Sequence, residues 1–347
     1  MSNTKTLHAS SAQEPPQLSQ QLSSRVPAQM SAQQRVAAAI AGQQTDRVPV
    51  TAWIHFGSEH LPPEQTAALH LAFAQTYSPD LLKIHADYRL SVSDSHDLRD
   101  ADDILQIGRA ANKSPCFVQQ KQCVSAVIES AQHHCVMMDT LFSPFQNLLR
   151  NVGADQLPLL MKYPQQTLDT LAYITEASCE HVHWLQTQGL SICFFATHGA
   201  IAAERYKGLA RERRDEIVEH WIQPFDKQLL IAASGMTRIL HAHGQGLQIE
   251  RVRDYEFEVL HVSTELEGNP TLSALRQWTD KCVMGGINEA SFTGLSLAGL
   301  QACIDQALVA AGPQKLILAP GCSLPSHTPA RLLRHLLTHT STRKPSP

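Results

Sequence analysis

The sequence predicts an α/β protein folded as a (β/α)8 TIM barrel. Eight short apolar segments alternate with helical segments through most of the 347 residues, and eight such repeats are the number that closes a barrel. The apolar segments lack regular polar alternation, as expected for parallel strands covered on both faces. A doubly wound open sheet is the alternative fold, but no GxGxxG motif follows the first predicted strand.

The composition excludes several classes of partner. Hydrophobic residues make up 43% of the chain, which is enough for a full core. A net charge of −4 without a Lys/Arg cluster argues against nucleic acid, and no apolar run is long enough to span a membrane. The eight cysteines are scattered, and the first residues lack the apolar core of a secretory signal. We expect a cytoplasmic monomer or homodimer that acts on a small-molecule substrate.

The two ends of the chain differ in composition from its middle. Residues 1–29 are rich in Gln, Ser, Ala and Pro, so they lack the apolar surface that offsets the entropy of ordering. The sequence therefore predicts a disordered arm at 1–29, a barrel domain at 30–340 and a tail at 341–347. The first barrel helix begins at Ser31, a capping residue, and stops at Gly42.

The alternation of strands and helices can be followed along the whole barrel domain. The predicted strands are 50–54, 81–84, 135–141, 190–195, 238–241, 259–262, 282–284 and 315–319. The predicted helices are 31–42, 64–77, 124–134, one near 143, 165–188, 213–234, 271–279, 296–311 and 328–338. Pro224 is expected to bend the helix at 213–234. Residues 91–115 are expected to be irregular, and 117–119 are interpreted as a short extra strand.

Polar side chains follow the predicted strands at their carboxyl ends, where barrel enzymes carry their active sites. They are His55, His85, Asp87, Asp139, His198, His241, His243, Glu265, Asn288 and Cys322. From this set we predict catalytic roles for Asp87 and His85, and cofactor binding by His198 and Asn288. A structural role stays open for each single residue, above all for His55 and His198.

One pair of histidines in this set predicts a metal site. His241 and His243 lie two residues apart at a strand end, so both rings can point to the same side. Cys322 follows a Pro-Gly break at the end of the last strand. Two His and one Cys are the protein ligands of a catalytic zinc site with an open fourth position. The alternative for Cys322 is a buried thiol that acts as a small hydrophobic residue.

Four short motifs, in order, resemble the uroporphyrinogen decarboxylase superfamily. They are the opening helix with Asp46-Arg-Val-Pro49, the His-x-x-Gly turn at 241–244, Met284-Gly-Gly-Ile287, and Pro320-Gly-Cys-Ser-Leu-Pro325. The resemblance covers about residues 31–340 and implies a (β/α)8 barrel. It implies one of two chemistries, because the superfamily contains metal-free decarboxylases and zinc-dependent corrinoid methyltransferases.

The residues are more similar to those of the methyltransferase branch. True decarboxylases bind a polyanionic tetrapyrrole through arginines in the first loop, and residues 55–60 contain none. Methyltransferases carry His-x-Cys and a later Cys as zinc ligands. His241 and Cys322 match the first and last, whereas His243 replaces the middle Cys. The resemblance implies Zn²⁺ as cofactor, a thiol-type methyl acceptor, and a corrinoid as co-substrate, carried by a separate protein because this chain shows no corrinoid-binding motif.

Three functions remain as hypotheses. The first is a zinc-dependent methyltransferase. The second is a metal-free decarboxylase of tetrapyrrole metabolism, in which Asp87 protonates or stabilises a pyrrole-like cation. The third is a non-catalytic protein that binds a metal or a corrinoid.

Overall fold

A computed structural model describes residues 29–90, 98–130, 135–201 and 211–339. Residues 1–28 of the predicted arm and the predicted tail at 341–347 lie outside the described residues. The predicted helix at 124–134 also extends beyond them at its carboxyl end.

The described residues form an α/β fold around one parallel sheet, as the sequence predicts. The sheet has seven strands, and consecutive strands along the chain pair with each other, so the spatial order is β1 to β7. The strands are β1 Leu81–Ile84, β2 Val136–Phe142, β3 Ile192–Thr197, β4 Thr237–Ala242, β5 Val259–Val262, β6 Cys282–Ile287 and β7 Leu316–Pro320. Because all strands are parallel, their carboxyl ends meet at one side of the sheet.

The segment at 50–54 is not a regular strand, which corrects the prediction of eight strands. It nevertheless lies between the two edge strands of the sheet. The Thr51 amide donates to the Leu318 carbonyl (3.0 Å), and the Val50 carbonyl accepts from the Asp80 amide (2.9 Å). A second isolated bridge joins Ile54 to Leu324.

Helices cover the sheet. They are α1 Ala32–Ile40, α2 Pro63–Tyr77, α3 Ala101–Arg109, α4 Pro115–Ser130, α5 Pro144–Val152, α6 Leu157–Lys162, α7 Pro164–Thr187, α8 Arg211–Glu216, α9 Gln223–Ala232, α10 Leu272–Trp278, α11 Leu297–Ala311 and α12 Ala330–His339. Ser31 caps α1 with a reciprocal capping box to Gln34, as predicted.

Two local predictions are wrong, and one helix differs from the prediction in detail. The stretch predicted as irregular contains α3, which Asp100 caps by accepting from two backbone amides. The short strand predicted at 117–119 lies inside α4, where packing against α2 and α7 outweighs the β-propensity of its residues. The helix predicted at 213–234 is present, and a π-helical turn at Ile217–Ile222 lies within it between α8 and α9. Pro224 follows that turn and cannot donate to the carbonyl four residues before it.

The core has two apolar clusters, one on each side of the strands. Residues on one face of the strands, including Leu81, Met138, Phe194 and Ile239, form a cluster with Trp53. Residues on the other face pack against the helices. Side chains along a strand alternate between the two clusters. The alternation places Lys83, two residues after Leu81, on the side of the first cluster.

An ion-pair network closes the amino-terminal end of the sheet. The Asp80 carboxylate, just before β1, accepts from Arg35 Nη1 and Arg47 Nη1 (2.6 Å each) and from the Val50 amide (2.8 Å). Arg35 Nε also donates to Asp46 (2.7 Å). Burial acts to raise the pKa of Asp46, but its bonds to Arg35 and to backbone amides lower that pKa to about 2. These pairs tie α1 and the segment before residue 50 to β1.

Candidate metal centre

The carboxyl ends of β4 and β7 bring His241, His243 and Cys322 together. His241 Nε2 lies 3.1 Å from His243 Nδ1, and Cys322 Sγ lies 3.7 Å from the same nitrogen. Candidate donor atoms of all three side chains lie within 4.8 Å of one another. His243 and Cys322 are 79 positions apart along the chain, so the parallel sheet is what makes them neighbours.

Backbone contacts hold the two loops that carry these side chains. The His243 amide donates to the Thr197 carbonyl at the end of β3 (3.0 Å), and the Gly321 amide donates to the Ile287 carbonyl at the end of β6 (3.0 Å). A Cβ at position 321 would lie 2.4 Å from Ser263 Cα, which is too close for any side chain. Glycine therefore lets the turn before Cys322 approach the neighbouring strand.

The donor set fits a small divalent metal ion. Tetrahedral zinc with normal Zn–N and Zn–S bonds places two nitrogens about 3.3 Å apart, and a nitrogen and a sulfur about 3.6 Å apart. Two of the three donor separations, 3.1 Å and 3.7 Å, are close to these values, and the third is within 4.8 Å. Three protein ligands would leave one position open for a substrate.

Burial prepares His241 to act as a ligand. Burial, followed by the charges of His261 and His243, lowers the pKa of His241 well below its usual value. The ring is therefore neutral and keeps a lone pair for a metal. Burial raises the pKa of the Cys322 thiol, so this sulfur needs a nearby cation to become a thiolate.

His261 is a residue of this region that the sequence reasoning missed. It lies on β5 directly beside His241, and the two rings stack with centroids 4.6 Å apart. Its Nε2 lies 2.9 Å from the carbonyl oxygen of Pro320, which requires an N–H at that nitrogen. Burial lowers the pKa of His261 to about 3. A polar residue facing inward from an otherwise apolar strand, Val259–Val262, was the available signal.

Lys83 is a second missed residue, and it lies on β1. The side chain is only 5% exposed, and its ammonium lies 4.6 Å from the ring centroid of Phe194 and 5.3 Å from that of Trp53. Burial lowers the pKa of Lys83 to about 8, whereas the charge of Cys322 is the strongest of the effects that raise it. The available signal was a lysine between two apolar residues inside a predicted strand.

The residues predicted to be catalytic form a separate polar group next to β1. Asp87 Oδ1 lies 2.9 Å from His55 Nδ1, and Ser58 Oγ donates to Asp87 Oδ2 (3.0 Å). Burial acts to raise the pKa of Asp87, but the bonds to His55 and Ser58 lower it to about 2, so this carboxylate is ionised. His85 instead faces His70 of α2, with Nδ1 and Nε2 separated by 3.3 Å.

The remaining predicted residues are placed in different environments. His198 is buried and its ring centroid lies 5.6 Å from that of His243, beside the donor set. Asn288 accepts from the Ala290 and Ser291 amides and so shapes its own turn. Glu265 is exposed and does not belong to the group of metal donors found among the described residues. Asp139 is buried on the helix side, where it bonds to Gln120 and to His181.

A parallel α/β sheet with convergent metal donors at the carboxyl ends of its strands is the arrangement of a barrel-type enzyme site. A model of the uroporphyrinogen decarboxylase (URO-D) family matches residues 83–342. The chain belongs to this family of enzymes, which confirms the resemblance drawn from its motifs.

Solved structures of similar fold include methyltransferases. A methyltransferase from Methanosarcina mazei superposes with a TM-score of 0.67 at 16% identity, over 90% of this chain and 98% of that chain. A B12-independent methionine synthase from Shewanella sp. W3-18-1 gives 0.49 at 13% identity, over 85% and 92% of the two chains. At 16% identity, the likeness to the Methanosarcina structure shows a similar fold alone.

A metallated homocysteine methyltransferase from Escherichia coli gives a TM-score of 0.42 at 13% identity, over 81% of this chain and 86% of that chain. A search of the curated proteins finds no match. Among the described residues, no helix has the length and apolar character needed to cross a membrane.

Proposed function

We propose that this protein is a zinc-dependent methyltransferase of the URO-D family, built as a (β/α)8 barrel in which the 50–54 segment completes the ring. The observation that carries the proposal is the convergence of His241, His243 and Cys322 within 4.8 Å at the mouth of the sheet. The similar fold of the Methanosarcina methyltransferase supports the same class. The acceptor is a small thiol, and the methyl donor is a corrinoid carried by a separate protein.

The chemistry divides between the metal and the chain. Bound zinc would act as a Lewis acid that lowers the pKa of a substrate thiol. His241 and His243 supply neutral nitrogens and Cys322 a sulfur that give the cation its place. In the transfer, the acceptor sulfur loses its proton to solvent and forms a bond to the methyl carbon. The bond between that carbon and the donor breaks, and its electron pair stays with the donor.

The neutral imidazole of His243 distinguishes this site from one with two cysteines. It leaves the cation more electropositive, so a bound thiol becomes more acidic but its thiolate becomes a poorer nucleophile. The rings of His198 and Phe194 lie 5.6 Å from His243 and 5.2 Å from His241, respectively. They limit how far either ligand can rotate, which keeps the donor atoms convergent.

Metal analysis of the purified protein tests this proposal. We expect about one zinc per chain, and His241→Ala or Cys322→Ala should remove it. His183→Ala and Cys303→Ala are matched controls, because His183 is exposed on α7 and Cys303 is half-buried on α11, away from the site. The proposal is wrong if folded wild-type protein binds no zinc, or if both site variants retain it. Zinc binding without methyl transfer to any thiol would favour the non-catalytic hypothesis.

The ionised Asp87 favours a second candidate, the metal-free decarboxylase. Its carboxylate, held by His55 and Ser58, could stabilise a cation that develops on a carboxylated ring. Decarboxylation that continues in the presence of a chelator and is lost in Asp87→Asn would support this function. Loss of activity on chelation would exclude it.

A further inference from the structure

We propose that Lys83 forms a binding subsite for a carboxylate, in the interior of the sheet below the candidate metal ligands. This subsite does not depend on zinc. Its ligand class is a small, singly charged carboxylate, carried by the substrate or by a separate molecule.

The first observation is a buried cation without an anionic partner. Lys83 is 5% exposed, and among the described residues no hydrogen bond or ion pair involves its ammonium group. A charge removed from water is strongly destabilising unless an opposite charge or several hydrogen bonds compensate for it. Cation–π contact with Trp53 and Phe194 compensates for only part of that cost.

The second observation is that the nearby carboxylates are already engaged. Cys322, Asp87 and Asp139 all act on the charge of Lys83, and Cys322, the strongest of the three, belongs to the candidate metal donors. However, Asp87 is bonded to His55 and Ser58, and Asp139 is bonded to Gln120 and His181. Neither carboxylate makes a direct pair with the ammonium.

The aromatic rings beside Lys83 favour one class of anion. The indole of Trp53 and the ring of Phe194 meet edge to face, with centroids 5.4 Å apart, and Lys83 lies against both. One ammonium balances one negative charge, and the apolar rings beside it favour a carboxylate that carries a short alkyl chain. A phosphate dianion would bring a second charge that this subsite does not neutralise.

Calorimetric titration tests the assignment with propionate as probe and propionamide, its neutral counterpart of equal size, as control. We expect propionate to bind the full-length protein at least tenfold more tightly than propionamide. The preference should remain after chelation of metal, which separates this subsite from the proposed zinc chemistry. Phosphate should bind less tightly than propionate.

Variants at position 83 complete the test. Lys83→Met keeps the length of the side chain without its charge, and it should abolish the preference for propionate. Lys121→Met is the matched control, because Lys121 also lies against an aromatic ring, that of Trp184, but on helix α4. It should bind propionate like the wild type.

Circular dichroism of both variants verifies the fold, and Lys83→Gln substitutes if Lys83→Met does not fold. Equal affinity for propionate and propionamide in the wild type, or an unchanged preference in Lys83→Met, would overturn the subsite. Equal or tighter binding of phosphate would overturn the carboxylate class. None of these results would affect the zinc measurement on His241 and Cys322.

Discussion

The two ends of the sheet use charge in opposite ways. At the amino-terminal end, Asp80 accepts from two arginines and a backbone amide, and Asp46 pairs with one of the same arginines. At the carboxyl end, Lys83 has no anionic partner among the described residues, and candidate donor atoms of His241 and His243 converge. Ion pairs stabilise the amino-terminal end of the sheet, whereas the carboxyl end keeps candidate metal donors and a charged side chain available for ligands. The difference agrees with the division of barrels into a stability face and a catalytic face.

The largest expected effect is at the paired end. Asp80→Asn leaves two guanidinium groups without their shared carboxylate, and we expect a loss of ~3–5 kcal/mol in the free energy of unfolding. Urea denaturation measures it. Asp102→Asn is the control, because its ion pair with Arg109 is long (3.8 Å) and exposed, and its effect should stay within ~0.5 kcal/mol. Zinc content per folded molecule should not change. Equal stabilities of the two variants would contradict this view of the network.

The second effect is on the pH dependence of stability. It comes from a buried carboxyl group that has no ion pair among the described residues. Asp226 of α9 bonds to Thr197 and, at 2.9 Å, to Tyr255, and burial raises its pKa from 3.8 to about 7. Between these values the unfolded chain has lost the proton that the folded chain keeps. The free energy of unfolding should therefore fall as pH rises from about 4 to about 7, by up to ~4 kcal/mol from this group.

Asp226→Asn should remove this component of the pH dependence. Thermal unfolding of the wild type and the variant between pH 4 and 8 measures it. The Asp102→Asn variant serves again as the control and should follow the wild type. Parallel curves for wild type and Asp226→Asn would show that Asp226 titrates normally in the folded protein.

The third effect is an increase in stability, and it concerns Lys83 at the carboxyl end of the sheet. Lys83→Met replaces a desolvated, unpaired charge by an apolar side chain among aromatic rings. We expect a gain of ~1–2 kcal/mol in the free energy of unfolding, measured without added carboxylate. Arg35→Met, at the paired end, should instead destabilise. A destabilised Lys83→Met protein would mean that the ammonium has a strong partner in the fold.

The smallest effect concerns the identity of one ligand. His243→Cys restores the thiolate of the methyltransferase pattern, and we expect zinc affinity to rise about tenfold, or ~1.4 kcal/mol. Competition with a chromogenic chelator measures the affinity. Cys303→Ser is a control for general thiol effects. Weaker zinc binding in His243→Cys would show that the loop places only a ring nitrogen, and not a sulfur, within reach of the metal.

Local pattern and spacing predicted much of this molecule. The parallel strands and most helices follow from apolar periodicity, and the strand-end rule brought His241, His243 and Cys322 into one hypothesis. Helix α3 was missed because its sequence is mostly polar. Only a narrow apolar face, which packs against α7, is buried. The π-helical turn was missed because periodicity does not report the width of a helix.

The missed site residues share a different cause. His261 and Lys83 lie within strands and not after them, so a rule about strand ends excludes them. Their roles depend on which side chains they meet across the sheet, such as the stacking of His261 on His241. Asp139 shows the converse, because the sequence placed it at a strand end, whereas it lies in the middle of β2 and faces His181 of α7. The contacts of these residues depend on the register of the strands and on the face to which each side chain points. Neither can be read from the order of the residues alone.

The contact between His261 and Pro320 has a mechanical consequence. The His261 ring stacks on His241 and also holds the carbonyl two residues before Cys322, so it spans the gap between the two ligand-bearing loops. A ligand that tilts His241 would also displace the His261 ring, and this displacement would be transmitted to the turn that carries Cys322. The two ligand-bearing loops are therefore expected to move together when a ligand binds, because His261 couples one to the other.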